Sequence, residues 1–316
     1  MLRKTSSLRV YMMSDVAFLF PGQGSQNFGM GAEIYENFKA AKDLLDSASD
    51  FCKIDFKELM FKENDRLSIS EFTQPAIVLN SFMCFLAFKE NIDINAKFTF
   101  GHSLGEFSAI SVSGGFDMLN AINLVHLRGK FMSEACQGKN AGMMVILGLN
   151  DDIVKGICEK SSKSVWAANY NCDGQIVVAG VKSDLIELEP VFKEAGAKRA
   201  MLLDMSVASH CPLLDSASIK LYDELKSIIK DEFSPVISNV TAKVYTSKTE
   251  ALELLKLQLV KPVLYKQSIK NYENDVDCFI EFGSSVLKGL NKKITSKPTY
   301  SISNLSSLEE SLKELA

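Results

Sequence analysis

Strand-sized apolar runs alternate with amphipathic, helix-spaced stretches along most of this chain, and that alternation admits few architectures. It predicts an α/β fold layered around a largely parallel sheet. "VAFLF" (16–20) reads as a strand running into the turn "PGQGSQ", followed by helices around 31–49 and 74–90. "FTF" (98–100) is the next strand, and helices near 104–112 and 117–135 follow it. From about 139 the rhythm changes. "GMMVILGL", "SVWAANYN", "GQIVVAG" and "AKRAMLLD" read as strands, with "NDDIVKGICEKSS" and "KSDLIELEPVFKEAG" as helices between them. The order βαββαβ, over about seventy residues, is that of a ferredoxin-like unit. Mixed α/β texture then resumes with a helix at 212–230, the strand "CFIEF" (278–282) and a helix at 285–294. The expected organisation is therefore a discontinuous large unit, 14–138 with 207–316, carrying the subdomain 139–206 as an insertion.

With 316 residues, 47% of them hydrophobic, the chain can bury one large core and a smaller one. Lysine and arginine number 35 against 39 acidic residues, a net charge of −4, which argues against a general nucleic-acid binder. No apolar run looks long enough for a membrane span; "MMVILGL" is strand-sized. A soluble, cytoplasmic, monomeric protein is the expectation. The seven cysteines show no paired spacing and predict reduced, mostly buried thiols. With three histidines and no ligand spacing among them, no metal site is expected. The basic start "MLRKTSSLRVYMM" lacks a proper apolar segment and is set aside from the fold, Met12 or Met13 being a reasonable native start.

The stretch Gly101-His102-Ser103-Leu104-Gly105 fits the elbow in which a strand turns sharply into a helix and exposes a serine oxygen. A serine hydroxyl needs a base, and histidine is the usual one. His102 adjoins Ser103 and points the other way along an extended chain. His126 lies within a helix, where a solvated or locally bonded ring is expected. His210, in "MSVASHCPLL", sits at a junction between units, where loops carry chemistry; it is the favoured base. Arg128 has only apolar helical neighbours: Ala121, Leu124, Val125 and Met132. Its stem could pack while its head reaches solvent. Alternatively the guanidinium faces a cleft and takes a ligand carboxylate. The turn Pro21-Gly22-Gln23-Gly24 lacks the lysine of a phosphate loop and the glycine spacing of a dinucleotide fingerprint. It can instead aim a backbone N–H at an oxyanion.

Seven segments in register resemble the malonyl-coenzyme A:acyl carrier protein transacylases of fatty acid synthesis. They are "FPGQGSQNFGMG", "GHSLGEFSA", "HLRGKFM", "NYNCDGQIVVAG", "GAKRAMLL", "SHCPLL" and "GLNKKI", within residues 16 to 305. The resemblance implies a hydrolase-like α/β domain with the ferredoxin-like insertion and the active site between them. It implies Ser103 as nucleophile, His210 as base, and the main-chain carbonyl of Gln258 orienting that histidine. Backbone N–H groups of Gln23 and Leu104 would form the oxyanion hole, and Arg128 would hold the malonyl carboxylate. The malonyl group would pass from malonyl-coenzyme A through Ser103 to the phosphopantetheine thiol of the carrier protein, with no added cofactor or metal.

The sequence departs from the family pattern at Ala208, where a proline is common, and at Gly283-Ser284-Ser285, where glycine-proline-glycine is familiar; Tyr265 keeps the aromatic position near "KPV". Ala208 puts discrimination against branched malonyl groups in question. A serine esterase would share elbow and histidine without needing Arg128, and a non-enzymatic docking module would need neither. Because carrier proteins are small and acidic, Lys198 with Arg199 and Lys292 with Lys293 are candidate docking residues, against the alternative of ordinary solvated side chains.

Overall fold

The computed structural model describes residues 15–205 and 207–315. The basic start and the proposed limits 14, 206 and 316 lie outside the described residues. Ten strands are described: β1 Val16–Phe20, β2 Phe98–Gly101, β3 Ala141–Leu147, β4 Val165–Cys172, β5 Gln175–Val181, β6 Arg199–Leu202, β7 Glu232–Ile237, β8 Val244–Ser247, β9 Cys278–Phe282 and β10 Thr299–Ile302. Six form one sheet in the order β10-β9-β1-β2-β7-β8, parallel throughout except for the antiparallel β7–β8 pair. The other four form an antiparallel sheet in the order β4-β5-β3-β6.

Every residue of β1 and β9 is buried, because helices cover both faces of a parallel sheet. Phe282 anchors the aromatic core, meeting Phe18, Phe88 and Phe85 edge-on at centroid distances of 5.1, 5.4 and 5.5 Å. Each buried ring of this kind stabilises the fold by about 1.5–3 kcal/mol. In the smaller sheet, Met144, Ile146 and Val178 pack with Val154, Leu185 and Phe192 of the helices Asp151–Lys160 and Lys182–Glu194. The outer edge of β4 is taken by the segment after helix Lys248–Gln258: Tyr170 N–H donates to Val263 O, and Val263 N–H to Ala168 O.

Several expectations need correction. The helix predicted at 31–49 is two helices, Ala32–Asn37 and Lys39–Cys52, parted by Phe38 in an extended conformation. The one predicted at 74–90 begins earlier, as Ser70–Asn91. By length and composition this helix could cross a membrane, contrary to the sequence reading, yet it lies mostly buried as a core helix. Strands β7, β8 and β10 were not foreseen. β8 and β10 are four-residue edge strands, and β7 carries Pro235, so none shows a clear apolar run.

In β1–β2 the register pairs Phe20 with Gly101. Both strands therefore end together, and the turns that follow, 21–24 and 102–104, lie side by side. Open parallel sheets bind their ligands beyond such carboxyl ends.

Candidate active site

Between β2 and helix Gly105–Val112, Ser103 takes the left-handed conformation with φ 53°. Both flanking glycines are forced by crowding. A Cβ on Gly105 would lie 1.9 Å from the Phe20 carbonyl oxygen, and one on Gly101 2.2 Å from the Gly105 carbonyl carbon. Asn239 brackets the turn: its Oδ1 accepts from Ser103 N–H at 2.6 Å, and its Nδ2 donates to Gly101 O at 2.7 Å.

His210 Nε2 lies 2.7 Å from Ser103 Oγ, and its Nδ1 2.6 Å from the main-chain oxygen of Gln258. That carbonyl can only accept, so Nδ1 carries the proton and Nε2 is free to take the serine's. Burial, and secondarily the charge on Arg128, push the His210 pKa down to about 3. The imidazole therefore stays neutral, in its base form, through the physiological range. His102 is turned aside: its Nε2 meets Asn171 Oδ1 at 2.7 Å and its ring packs on Tyr265. His126 bonds to the neighbouring helix rather than its own. Pro75 has no N–H for the Glu71 carbonyl, and His126 Nδ1 donates to that oxygen at 2.9 Å.

The head of Arg128 does not reach solvent; the residue is 1% exposed. Its helix, Met118–Cys136, approaches the start of Ser70–Asn91 so closely that a Cβ on Gly129 would lie 2.4 Å from Ser70 O. Nη1 donates to Gln74 Oε1 at 2.7 Å, and Nη2 lies 3.3 Å from both Ser103 Oγ and Gln258 Oε1. Nε is buried and without a partner among the described residues. No carboxylate forms an ion pair with it there either. Burial lowers its pKa to about 10, with Glu106 opposing, so it remains charged at neutral pH.

Ser103, Arg128 and His210 line one cavity of about 290 Å³, together with Gln23, Leu104 and the β3 and β5 side chains Met143, Val145 and Val177. The backbone N–H groups of Gln23 and Leu104 donate to no acceptor among the described residues. Behind the elbow, Glu106 is fully buried and accepts from Gln258 Nε2 at 2.6 Å, Tyr245 OH at 2.9 Å and Asn239 N at 3.2 Å. Burial pushes its pKa up to about 7 against the pull of those donors. Sequence reasoning missed Gln74, Glu106, Asn239 and Tyr245. A polar residue inside an apolar helical run, as in "TQPAIVLNS", was the available signal for Gln74. Lys198, Arg199, Lys292 and Lys293 are exposed and stand outside the cavity.

The arrangement is a serine hydroxyl bonded to an oriented, neutral imidazole, two backbone donors without acceptors among the described residues, and a buried cation with unused hydrogen-bonding capacity. It suits acyl transfer from a substrate that carries an anion. The profile of the acyl transferase domain family matches residues 17–305. The malonyl CoA-acyl carrier protein transacylase of Bacillus subtilis is 39% identical over 311 residues, 96% of this chain and 98% of that protein. The crystal structure of malonyl-CoA:acyl carrier protein transacylase from Helicobacter pylori superimposes with a TM-score of 0.93 at 45% identity, covering 96% of this chain and 98% of that one. A malonyl-transacylase solved in complex with its type II polyketide acyl-carrier protein gives a TM-score of 0.91 at 34% identity, over 95% of this chain and 100% of that one. With likeness running over nearly its whole length, this chain belongs to the acyl transferase family and, within it, to the malonyl CoA-acyl carrier protein transacylases.

Proposed function

We propose that this protein moves a malonyl group from malonyl-coenzyme A to the phosphopantetheine thiol of an acyl carrier protein, with Ser103 as the carrier in between. One observation carries the reading beyond a plain serine esterase. A buried guanidinium stands 3.3 Å from the nucleophile with its Nε unpaired, which is what a malonyl carboxylate requires and a neutral acyl group does not.

In the first half-reaction the malonyl carboxylate lies on Arg128. Ser103 Oγ attacks the thioester carbonyl as His210 Nε2 takes its proton. The oxyanion forms against the N–H groups of Gln23 and Leu104. Collapse breaks the C–S bond, and coenzyme A leaves with the proton from His210. In the second half-reaction the pantetheine thiol gives its proton to His210 and attacks the malonyl-serine ester, and Ser103 regains its hydrogen. Each step draws only on these side chains, the two backbone N–H groups and the two thiols.

Around this centre, residues 139–206 are taken as a ferredoxin-like subdomain inserted into a hydrolase-like unit of 14–138 and 207–316. The strand order β4-β5-β3-β6, with a helix after β3 and another after β5, supports that division. Mixing the protein with malonyl-coenzyme A should add the mass of one malonyl group at Ser103, discharged by adding holo-carrier protein. Rapid hydrolysis without carrier protein, and no adduct, would instead mark an esterase.

The docking residues follow from the same reading. Arg199 pairs across β3 at Leu147 with Gln175, which lines the cavity, so Arg199 lies on the groove face of the sheet. Lys293 lies near enough to Cys172, at the end of β4, for its charge to act on that thiol. None of the four cations forms an ion pair among the described residues that would compete for an acidic partner. Reversing charge at Lys198 and Arg199, or at Lys292 and Lys293, should raise the apparent KM for carrier protein by roughly 3- to 10-fold, with acylation by malonyl-coenzyme A affected less. The carrier-protein step should also weaken with salt. Wild-type efficiency in all four reversals would move the docking surface elsewhere.

A further inference from the structure

We propose that Glu106 is a positioning residue for acyl transfer, orienting Gln258 and through it both His210 and Arg128, without touching substrate. The proposal rests on the roles given above to Ser103, His210 and Arg128.

Gln258 serves both reactive groups at once. Its main-chain oxygen accepts from His210 Nδ1, and its side-chain Oε1 accepts from Arg128 Nη2 at 3.3 Å. Which way its amide faces is decided on the other side. Nε2 donates to Glu106 Oε2 at 2.6 Å and to Ser103 O at 3.0 Å, and a carboxylate and a carbonyl can only accept. A flipped amide would set oxygen against two acceptors and N–H against a guanidinium. The carboxylate is itself held by Tyr245 OH and Asn239 N–H, and Asn239 in turn holds the Ser103 N–H. One buried acid thus ties together the elbow, the segment of Asn239, strand β8 and the end of helix Lys248–Gln258.

The same geometry solves an electrostatic problem. A buried guanidinium needs a nearby negative charge, but a carboxylate bonded directly to it would occupy the donors that substrate must use. Glu106 acts on Arg128 through space and through the Gln258 amide rather than by contact, and Nε stays free. No carboxylate touches the guanidinium, so its Nε–H is left for substrate.

Glu106→Gln tests this. A glutamine must place its NH2 against one of three groups that now donate, so at least one bond becomes a donor–donor conflict or a rearranged hydroxyl. Three readouts are taken on folded protein: malonylation of Ser103 in a single turnover, the malonyl-to-acetyl ratio, and labelling of Ser103 by a small neutral fluorophosphonate. Malonylation should fall roughly 10- to 100-fold, the scale of losing a hydrogen bond to a charged group, and both the ratio and the labelling rate should fall with it. Tyr245→Phe removes one donor and should move each readout the same way by roughly threefold. A purely structural role would lower Tm and leave the ratio and labelling rate of the folded enzyme at wild type. Either of those two readouts unchanged in folded Glu106→Gln overturns the proposal; if that variant does not fold, the same holds for Tyr245→Phe. The labelling arm needs no malonyl chemistry, so failure of the wild type to take malonyl would count against the proposed function alone.

Discussion

Alanine at position 103 abolishes the malonyl adduct and transfer to carrier protein while leaving the protein folded. Serine already carries its Cβ at φ 53°, so alanine adds no new strain there. The backbone bonds to Asn239 and from Gln258 do not involve the hydroxyl and survive. What disappears is the oxygen that lies 2.7 Å from His210 Nε2 and 3.3 Å from Arg128 Nη2. No ester can form, and the remaining donors can only polarise a bound thioester. The loss in kcat should be on the order of 10⁴-fold or more, the scale seen when a serine nucleophile is removed from a coupled unit. Intact mass after incubation with malonyl-coenzyme A reads the result directly. Ser209 also lines the cavity, so an adduct mapped there would show that the elbow serine is not the acyl carrier.

Arg128→Ala should lower malonyl transfer steeply and raise acetyl transfer relative to it, shifting the malonyl-to-acetyl ratio of kcat/KM by roughly 10³-fold or more. Malonyl would bring a charge into a buried pocket with nothing to pair it, whereas acetyl would no longer leave a guanidinium unsatisfied. Two further effects accompany the change. Gln74 Oε1 and Gln258 Oε1 lose their donor, which should cost some stability. Removing the positive charge also relieves part of the depression of His210, so its pKa moves back up toward 6.5 and the base becomes stronger, without reaching the acyl group any better. Arg128→Lys keeps a charge but not the planar fork and should fall between the two. Competition between malonyl- and acetyl-coenzyme A in one reaction measures the ratio; a value equal to wild type in Arg128→Ala would make the arginine a packing residue.

Much of this was legible in the sequence because it is local. The two glycines around Ser103 announce a turn too tight for side chains, and the unbroken apolar run "VAFLF" announces a strand covered on both faces. The alternation of four strands and two helices between 139 and 206 was likewise readable, since periods of 2 and 3.6 residues arise from neighbours along the chain. Short polar edge strands such as β8 and β10 lack that periodicity; they exist because a neighbouring strand offers them hydrogen bonds. Helical spacing showed Arg128 among apolar neighbours but left open whether its head reached solvent or a cleft. That depended on a contact 54 residues away in sequence, where Gly129 lets one helix settle against another and Gln74 receives the guanidinium. Asn239, Tyr245 and Glu106 are of the same kind, while Gln258 came into view only through the family resemblance. Each is an ordinary polar residue in its own segment, and a buried donor or acceptor finds its partner only once the order of strands has brought distant segments together.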